Sequence, residues 1–203
     1  MSQEKDTYKT ITTKSPEVLF KDRGSKFYGY AFPITTEDEA KSCIETLKKE
    51  HYNARHWCYA WQLGKHYESY RVNDDGEPSN SAGMPIYGQL QSFDVTNVLV
   101  VVVRYFGGTK LGVGGLIQAY KTGAQLALSK SNIVTRTINE EFLLHFEYPE
   151  MNTVMRIIKD ENIKVLTQKM ELNCIFKISV RKKDAERIFS LFENTYKVII
   201  KRV

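Results

Sequence analysis

Long hydrophobic runs and a signal segment are both missing from this 203-residue chain. The longest uninterrupted apolar run, residues 98–103, is far shorter than the roughly 20 residues that cross a bilayer. The N-terminal segment MSQEKDTYKT is polar and mixed in charge, so it lacks the apolar stretch of a secretory signal peptide. We therefore expect a cytoplasmic protein that has no membrane span.

Cysteine and one-sided charge are also scarce. The three cysteines, Cys43, Cys58 and Cys174, are widely spaced and form no CxxC pair, so buried free thiols are expected rather than a zinc site or a redox dithiol. Basic residues number 29 against 24 acidic ones, without a block of like charge. This mild excess permits contact with a polyanion through a local patch, but it is smaller than in a dedicated nucleic-acid binder.

Residues 136–203 predict a small domain with the element order β-α-β-β-α-β. Phe142, Leu144 and Phe146 alternate in its first strand, and Pro149 ends that strand because proline has no amide hydrogen to donate. The order is that of the ferredoxin-like fold, whose two helices cover one sheet face and leave the other free for a partner. The predicted elements are a strand at 141–148, a helix around 154–158, strands at 163–171 and 173–180, a helix capped by Asp184, and a strand at 196–203.

Residues 1–135 predict a larger domain. Thr36 and Glu39 form a capping box for a helix that runs to about Glu50. Residues 98–103 are apolar on both faces, as in a central strand that is covered on each side. The polar residues 73–83 are expected to cross the surface. The other predicted elements are a strand at 8–13, a hairpin at 18–33, strands at 56–63 and 67–72, a short helix at 84–93 and a helix from about 116 to 130.

Five glycines lie between the central strand and the last helix of this domain. Glycine permits positive φ angles and close backbone approach, and a helix N-terminus attracts anions. The spacing fits neither a Walker A loop nor a dinucleotide-binding loop. An anion site and tight strand-to-helix packing without a ligand both remain open. The candidate anion-binding or nucleic-acid-binding residues are Arg104, Gly107, Gly108, Lys110, Gly112, Gly114, Gly115 and Lys121.

A second candidate segment holds three acidic residues within four positions. Their spacing does not match an EF-hand and the segment has no histidine, so no metal is predicted. The carboxylates are expected either to hold an irregular loop together or to meet a basic partner; an ordinary solvated turn is the alternative. No cofactor and no catalytic residue is assigned. The residues singled out are Arg71, Asp74, Asp75, Gly76, Glu77, Pro78 and Ser79.

These two segments, RVNDDGEPSNSAGMPIYGQL and VVVVRYFGGTKLGVGGLIQAY, resemble the IMPACT family, also called YigZ-like or UPF0029. The resemblance extends upstream through RGSKFYGYAFPI and ARHWCYAWQLG and covers about residues 17–130, and the remainder looks like the second domain of bacterial members. Asn80 and Ser81 stand where the family usually has Gly-Thr, and Gln118 stands where arginine is common.

The resemblance implies an α+β protein with two domains. The first, residues 1–135, would be ribosomal-protein-domain-2-like, with a left-handed βαβ unit. The second, residues 136–203, would be a ferredoxin-like domain similar to domain V of elongation factor G. Eukaryotic relatives regulate translation initiation. We therefore expect a non-catalytic protein that binds RNA, the ribosome or a translation factor. The alternatives are an enzyme that acts on a small phosphate-containing ligand and a protein-interaction module with a protein partner.

Overall fold

The computed structural model describes residues 6–203, which divide into two compact units. One unit is Tyr8–Arg136, and the other contains Thr137–Val203 together with the described residues before Tyr8. We propose domain limits of 1–135 and 136–203, next to this division. No helix in the described part of the chain has both the length and the apolar character needed to cross a membrane.

The first unit contains a five-stranded sheet in the order β2-β3-β6-β4-β5, and every neighbouring pair is antiparallel. A separate two-stranded sheet pairs β1 with β7. The elements are β1 (Thr7–Ile11), β2 (Val18–Asp22), β3 (Ser25–Pro33), α1 (Glu37–Glu50), β4 (His56–Leu63), β5 (Ser69–Asn73), α2 (Gly83–Ser92), β6 (Val98–Tyr105), α3 (Gly112–Ser129) and β7 (Ile133–Thr137).

The predicted central strand is confirmed, since β6 lies in the middle of the five-stranded sheet. Leu99, Val101 and Val103 pack with α1 on one face of the sheet, and Val100 and Val102 pack with α2 and α3 on the other. A strand that is buried on both faces has to be apolar at every position, which explains the unbroken run.

Two local signals are also confirmed. The amide of Glu39 donates to Thr36 Oγ1 over 3.2 Å, and the Glu39 carboxylate accepts from the Thr36 amide, so the capping box starts α1. Arg23 and Gly24 both have positive φ angles in the turn between β2 and β3, as a type I′ hairpin requires.

The prediction for the last helix of this unit was wrong by one turn, because α3 begins at Gly112 rather than near Leu116. Because glycine has a low helix propensity, the sequence favours a helix that begins only after the glycines. Leu111 and Leu116 are both buried in the core, and their burial holds the glycine-rich first turn in helical conformation.

The second unit has the predicted order of elements. Its four-stranded antiparallel sheet runs β11-β8-β10-β9, and α4 and α5 pack on one face. Asp184 does occupy the N-cap position of α5, but its side chain makes no capping hydrogen bond and lies 3.9 Å from Arg187. The elements are β8 (Asn139–Glu147), α4 (Met151–Asp160), β9 (Lys164–Lys169), β10 (Asn173–Arg181), α5 (Ala185–Glu193) and β11 (Val198–Arg202).

Candidate binding site

The site begins with Asp74, the first carboxylate of the acidic loop, by which we mean residues 73–83. Its Oδ1 accepts hydrogen bonds from the amides of Ala82 (2.9 Å) and Gly83 (2.8 Å), and its Oδ2 accepts from the amide of Asn80 (2.8 Å). Ala82, the N-cap residue of α2, has no side chain that can cap the helix. Asp74 therefore supplies the acceptor that the N-terminus of α2 needs, from eight residues earlier in the chain.

Asp75 fixes the same loop to the edge of the sheet. Its carboxylate accepts from the Trp57 amide over 2.7 Å, and its carbonyl oxygen lies 2.8 Å from Nδ1 of His56. Its own amide donates to Asn73 Oδ1, and its φ angle is 43°, as in a tight polar turn. The carboxylate and carbonyl oxygen of Asp75 are therefore engaged by β4, and its amide is engaged by its own loop.

Glu77 is buried, although the loop was predicted to cross the surface. Its side chain is only 4% exposed, and Oε1 accepts from Arg104 Nη1 (2.6 Å) and from the Tyr120 hydroxyl (2.8 Å). Nε2 of His56 lies 3.9 Å from the same oxygen. Ser81, Ala82 and Gly83 are buried as well. The prediction was wrong for Glu77 and residues 81–83, because polar groups can be buried when they find partners inside the protein, whereas Gly76 and residues 78–80 are exposed as predicted.

Arg104 is accordingly not a free surface cation. Its side chain is 6% exposed, its charge is paired with Glu77, and its guanidinium lies 5.5 Å from the ring centroid of Phe27 and 5.6 Å from that of Phe106. The Nε atom of Arg104 is buried without a hydrogen-bond partner among the described residues. Because a buried charge requires a partner such as Glu77, Arg104 stabilises the acidic loop and is not available to bind an anion from solvent.

The Cys58 thiol and the Tyr120 hydroxyl of this cluster are held in their neutral forms. Burial is the main cause that raises the pKa of the Cys58 thiol well above its usual range, and the pKa of the Tyr120 hydroxyl is raised for the same reason. The Cys58 thiol donates to the carbonyl oxygen of Asp74 over 3.0 Å. A protonated, inaccessible thiol is a poor nucleophile.

The glycine loop, residues 107–115, has two parts with different roles. A Cβ atom on Gly107 would lie 1.9 Å from the carbonyl carbon of Gly24, so this position requires glycine for packing against the β2–β3 turn. Gly108 and Gly112 have φ angles of +87° and +73°, and Gly114 and Gly115 lie in the first turn of α3. Gly108, Gly112 and Gly114 have open space where a side chain would be.

The exposed part of the site is a small basic surface. Arg55 lies with its guanidinium 5.9 Å from the ring centroid of Phe106, which is 41% exposed, and Lys110 is exposed a few residues further along. The first amides of α3 lack intrahelical acceptors, as in every helix. We call Arg55, Phe106, Lys110 and residues 112–114 the basic surface.

Two predicted residues lie away from it. Lys121, more than two turns into α3, borders a groove of about 600 Å³ between α2 and α3, with Gln118 and Gln125 beside it. Arg71 is exposed in β5, where it lies 3.8 Å from Glu37. Of the rest of the acidic loop, Gly76 (φ +84°), Pro78 and Ser79 are exposed and line its outer turn.

Two parts of this arrangement were not predicted from the sequence motifs. Tyr120 ends the second segment that resembles the family, but its hydrogen bond to Glu77 is not predicted from the sequence, and neither is the contact of Arg55 with Phe106. No short-range pattern links Arg55 to Phe106, because they meet only where β4 pairs with β6. His56 lies opposite Arg104 in that pairing, which brings Arg55 and Phe106 to the same end of the sheet.

The three carboxylates of the acidic loop are engaged by backbone amides, Arg104 and Tyr120. Within residues 6–203 no group of three or more His, Cys, Asp or Glu side chains is placed to hold a metal ion. Fold and site together define a two-unit α+β protein with an internally braced acidic loop beside an exposed basic surface.

The chain belongs to the IMPACT family. The family model for the Impact N-terminal domain matches residues 23–128. An IMPACT family member from Haemophilus influenzae is 32% identical over 177 residues, which cover 85% of this chain and 86% of that protein. Among solved structures, a hypothetical protein is similar with a TM-score of 0.73, 25% identity and 98% coverage of both chains. Yih1, described as a two-domain translational regulator, is 29% identical over 59% of this chain and 46% of its own, with a TM-score of 0.38.

Proposed function

We propose that this chain is a non-catalytic binding protein that engages RNA of the translation apparatus through the basic surface. The observation that carries the proposal is that the acidic groups of the site are hydrogen-bonded internally while two of its basic groups are exposed. The acidic loop uses its carboxylates internally, whereas Arg55 and Lys110 lie exposed beside Phe106 and the first turn of α3. The surface that faces solvent is therefore positive, even though the motif beside it is acidic.

The chemistry of this surface suits a nucleic acid. Lysine and arginine bind phosphates, the amides of a helix N-terminus donate to anionic oxygens, and an exposed aromatic ring offers a stacking face for a base. The centroid of the Phe106 ring lies 5.9 Å from the guanidinium of Arg55 and 5.6 Å from that of Arg104, so both cations are within the range of a cation–π contact. Membership of a family that includes a protein described as a translational regulator supports translation as the setting.

Replacing both free cations tests the proposal. The Arg55→Gln/Lys110→Gln variant is expected to co-sediment less with purified ribosomes than the unchanged chain does. Because each phosphate that is no longer neutralised lowers the salt slope of binding to single-stranded RNA by about 0.7, the remaining binding should also depend less on salt. Arg104 is left unchanged, since its replacement would leave the buried Glu77 without its partner.

The matched control is Lys41→Gln/Lys49→Gln, which removes the same charge from exposed positions of α1 on the other face of the sheet. It is expected to bind ribosomes like the unchanged chain. Equal co-sedimentation of all three proteins would rule out the basic surface as the binding site.

A further inference from the structure

The sheet of the second unit has one face that no helix of that unit covers. Phe142, Leu144 and Phe176 point to the face on which α4 and α5 pack. The residues between them on the strands therefore point to the opposite face. Among them, Ile175 and Ile199 lie on either side of His145 of β8, and Leu143 lies one step further along β8; we call Leu143, Ile175 and Ile199 the apolar strip, and Ile199 is 59% exposed.

Lysines surround this strip. Lys177 is paired with Glu141 at 2.6 Å, and Lys169 is paired with Glu171 at 3.2 Å. Three further lysines at the same face, Lys164, Lys197 and Lys201, have no acidic partner within 4.0 Å among residues 6–203. The register places Lys201 beside Leu143 and Lys164 beside Ser179.

A shallow depression of about 360 Å³ lies at one end of the face. Ile175 and Ile199 form apolar walls, and Lys197 borders the opening. Asn173 and Glu147, which are register partners, offer an amide and a carboxylate at the same end. Flat apolar walls with a donor and an acceptor at one edge match the shape and the hydrogen-bonding edge of a nucleobase.

An exposed aromatic ring stands next to the depression. Tyr196 is 76% exposed, and the ammonium of Lys197 lies 5.5 Å from the centroid of its ring. A neighbouring base can stack on such a ring, while the lysine beside it meets the phosphate.

We propose that this face, from Tyr196 and Lys197 to Lys201, is a surface for single-stranded RNA. One base occupies the depression between Ile175 and Ile199, a second stacks on Tyr196, and Lys197 and Lys201 bind the phosphates. The inference shares with the proposed function its partner class, RNA, but it concerns a separate surface on the other unit. Double-stranded RNA does not fit, because paired bases cannot enter the depression.

The lysines also favour RNA over a protein partner. The buried centre of a protein interface is depleted of lysine, whereas surfaces that bind nucleic acid are rich in positive charge. Here the apolar strip is narrow and lysine borders it along its length, with Lys177 on the face itself. Glu141 and Glu171 are paired with lysines and Asp6 is paired with Arg181, whereas Glu147 has no cation within 4.0 Å among the described residues.

The experiment uses the full chain and a 5′-fluorescein-labelled oligouridylate of about 12 nucleotides, long enough for a surface of this size. Fluorescence anisotropy measures its affinity over a range of salt concentrations. We expect Lys197→Gln/Lys201→Gln to lower the affinity and to reduce the salt slope by about 0.7 for each phosphate that the replaced lysines neutralise. We expect Tyr196→Ala to lower the affinity about five-fold or more with little change in salt slope, since it removes stacking and no charge.

Lys159→Gln/Lys183→Gln is the charge-matched control, because both lysines are exposed and Lys159 lies on α4, on the helix-covered side. This control should bind like the unchanged chain. Equal affinity of the Lys197/Lys201 variant and this control would overturn the inference. So would equally tight binding of an RNA duplex or of polyglutamate, which would show an unspecific response to charge.

The basic surface of the first unit is tested in the same titration with Arg55→Gln/Lys110→Gln. If that variant binds the oligonucleotide normally while Lys197→Gln/Lys201→Gln does not, the present inference stands, and ribosome co-sedimentation of the same variant decides the proposed function separately. If the unchanged chain co-sediments with ribosomes but leaves the oligonucleotide free, the inference fails and the proposed function is untouched.

Discussion

Glu77 shows how a single residue can look exposed in the sequence and be buried in the fold. It lies in a run of polar residues, yet its carboxylate is enclosed by Arg104 and Tyr120. The partners are 27 and 43 residues away in sequence. Removing one member of a buried ion pair leaves the other charge without compensation, and that cost is much larger than the net value of the pair.

We therefore predict that Arg104→Met lowers the free energy of unfolding by about 3 to 5 kcal/mol, because Glu77 would remain buried and unpaired. Denaturant unfolding monitored by tryptophan fluorescence measures the change. The control is Arg187→Met, which removes a solvent-exposed bridge to Glu161 and should change the free energy of unfolding much less than Arg104→Met does. The double variant Glu77→Leu/Arg104→Met should recover most of the stability, and similar effects for the two single variants would contradict the buried-pair interpretation.

At the scale of an element, the glycine loop combines a packing requirement with an exposed turn. Gly107 is in contact with the backbone of the β2–β3 hairpin, whereas Gly114 has open space around it in the first turn of α3. The sequence places the two glycines in one cluster and does not separate these roles.

Alanine at the two positions is predicted to have opposite effects. Gly107→Ala would place a methyl group against Gly24 and Ser25 and should cost at least about 1 to 3 kcal/mol, as overpacking does. Gly114→Ala adds a methyl group in open space and raises helix propensity, so it should be neutral or should stabilise by up to about 1 kcal/mol. Thermal unfolding of both variants provides the measurement; a decrease in stability in Gly114→Ala equal to that in Gly107→Ala would rule out this division.

Elements with a strong local signal were predictable. The capping box of α1, the hairpin turn at Arg23 and Gly24, and the alternation in β8 and β10 each depend on residues close together in the chain. The start of α3 and the pairing of β1 with β7 were not predictable in this way. The first depends on burial of Leu111, and the second joins segments more than 120 residues apart, so neither leaves a mark in a short window.

At the scale of the whole molecule, the position of a strand in its sheet should determine how well its amides are protected. In the first unit β6 is central and β2 and β5 are at the edges, and in the second β8 and β10 are central and β9 and β11 are at the edges. Central strands have partners on both sides, and here they also carry buried side chains.

We predict that amides of β6 exchange with solvent deuterium most slowly in the first unit, and those of β8 and β10 most slowly in the second, because they open only with large parts of their unit. Exchange followed by mass spectrometry of peptides from each strand measures this. Each edge strand is the internal control for its own sheet. Protection of β5 as strong as that of β6 would contradict the observed strand order.

The sequence alone determined the strands and helices other than β7, their order and the motifs that resemble the IMPACT family, because periodicity, capping and turn chemistry act between residues that are near in the chain. It also located both loops of the candidate site. The tertiary structure decided which charges are available: Arg104 is paired with Glu77, while Arg55, Lys110, Lys197 and Lys201 are exposed. Charge pairing depends on which distant segments meet in the folded chain, and only the three-dimensional packing brings those segments together.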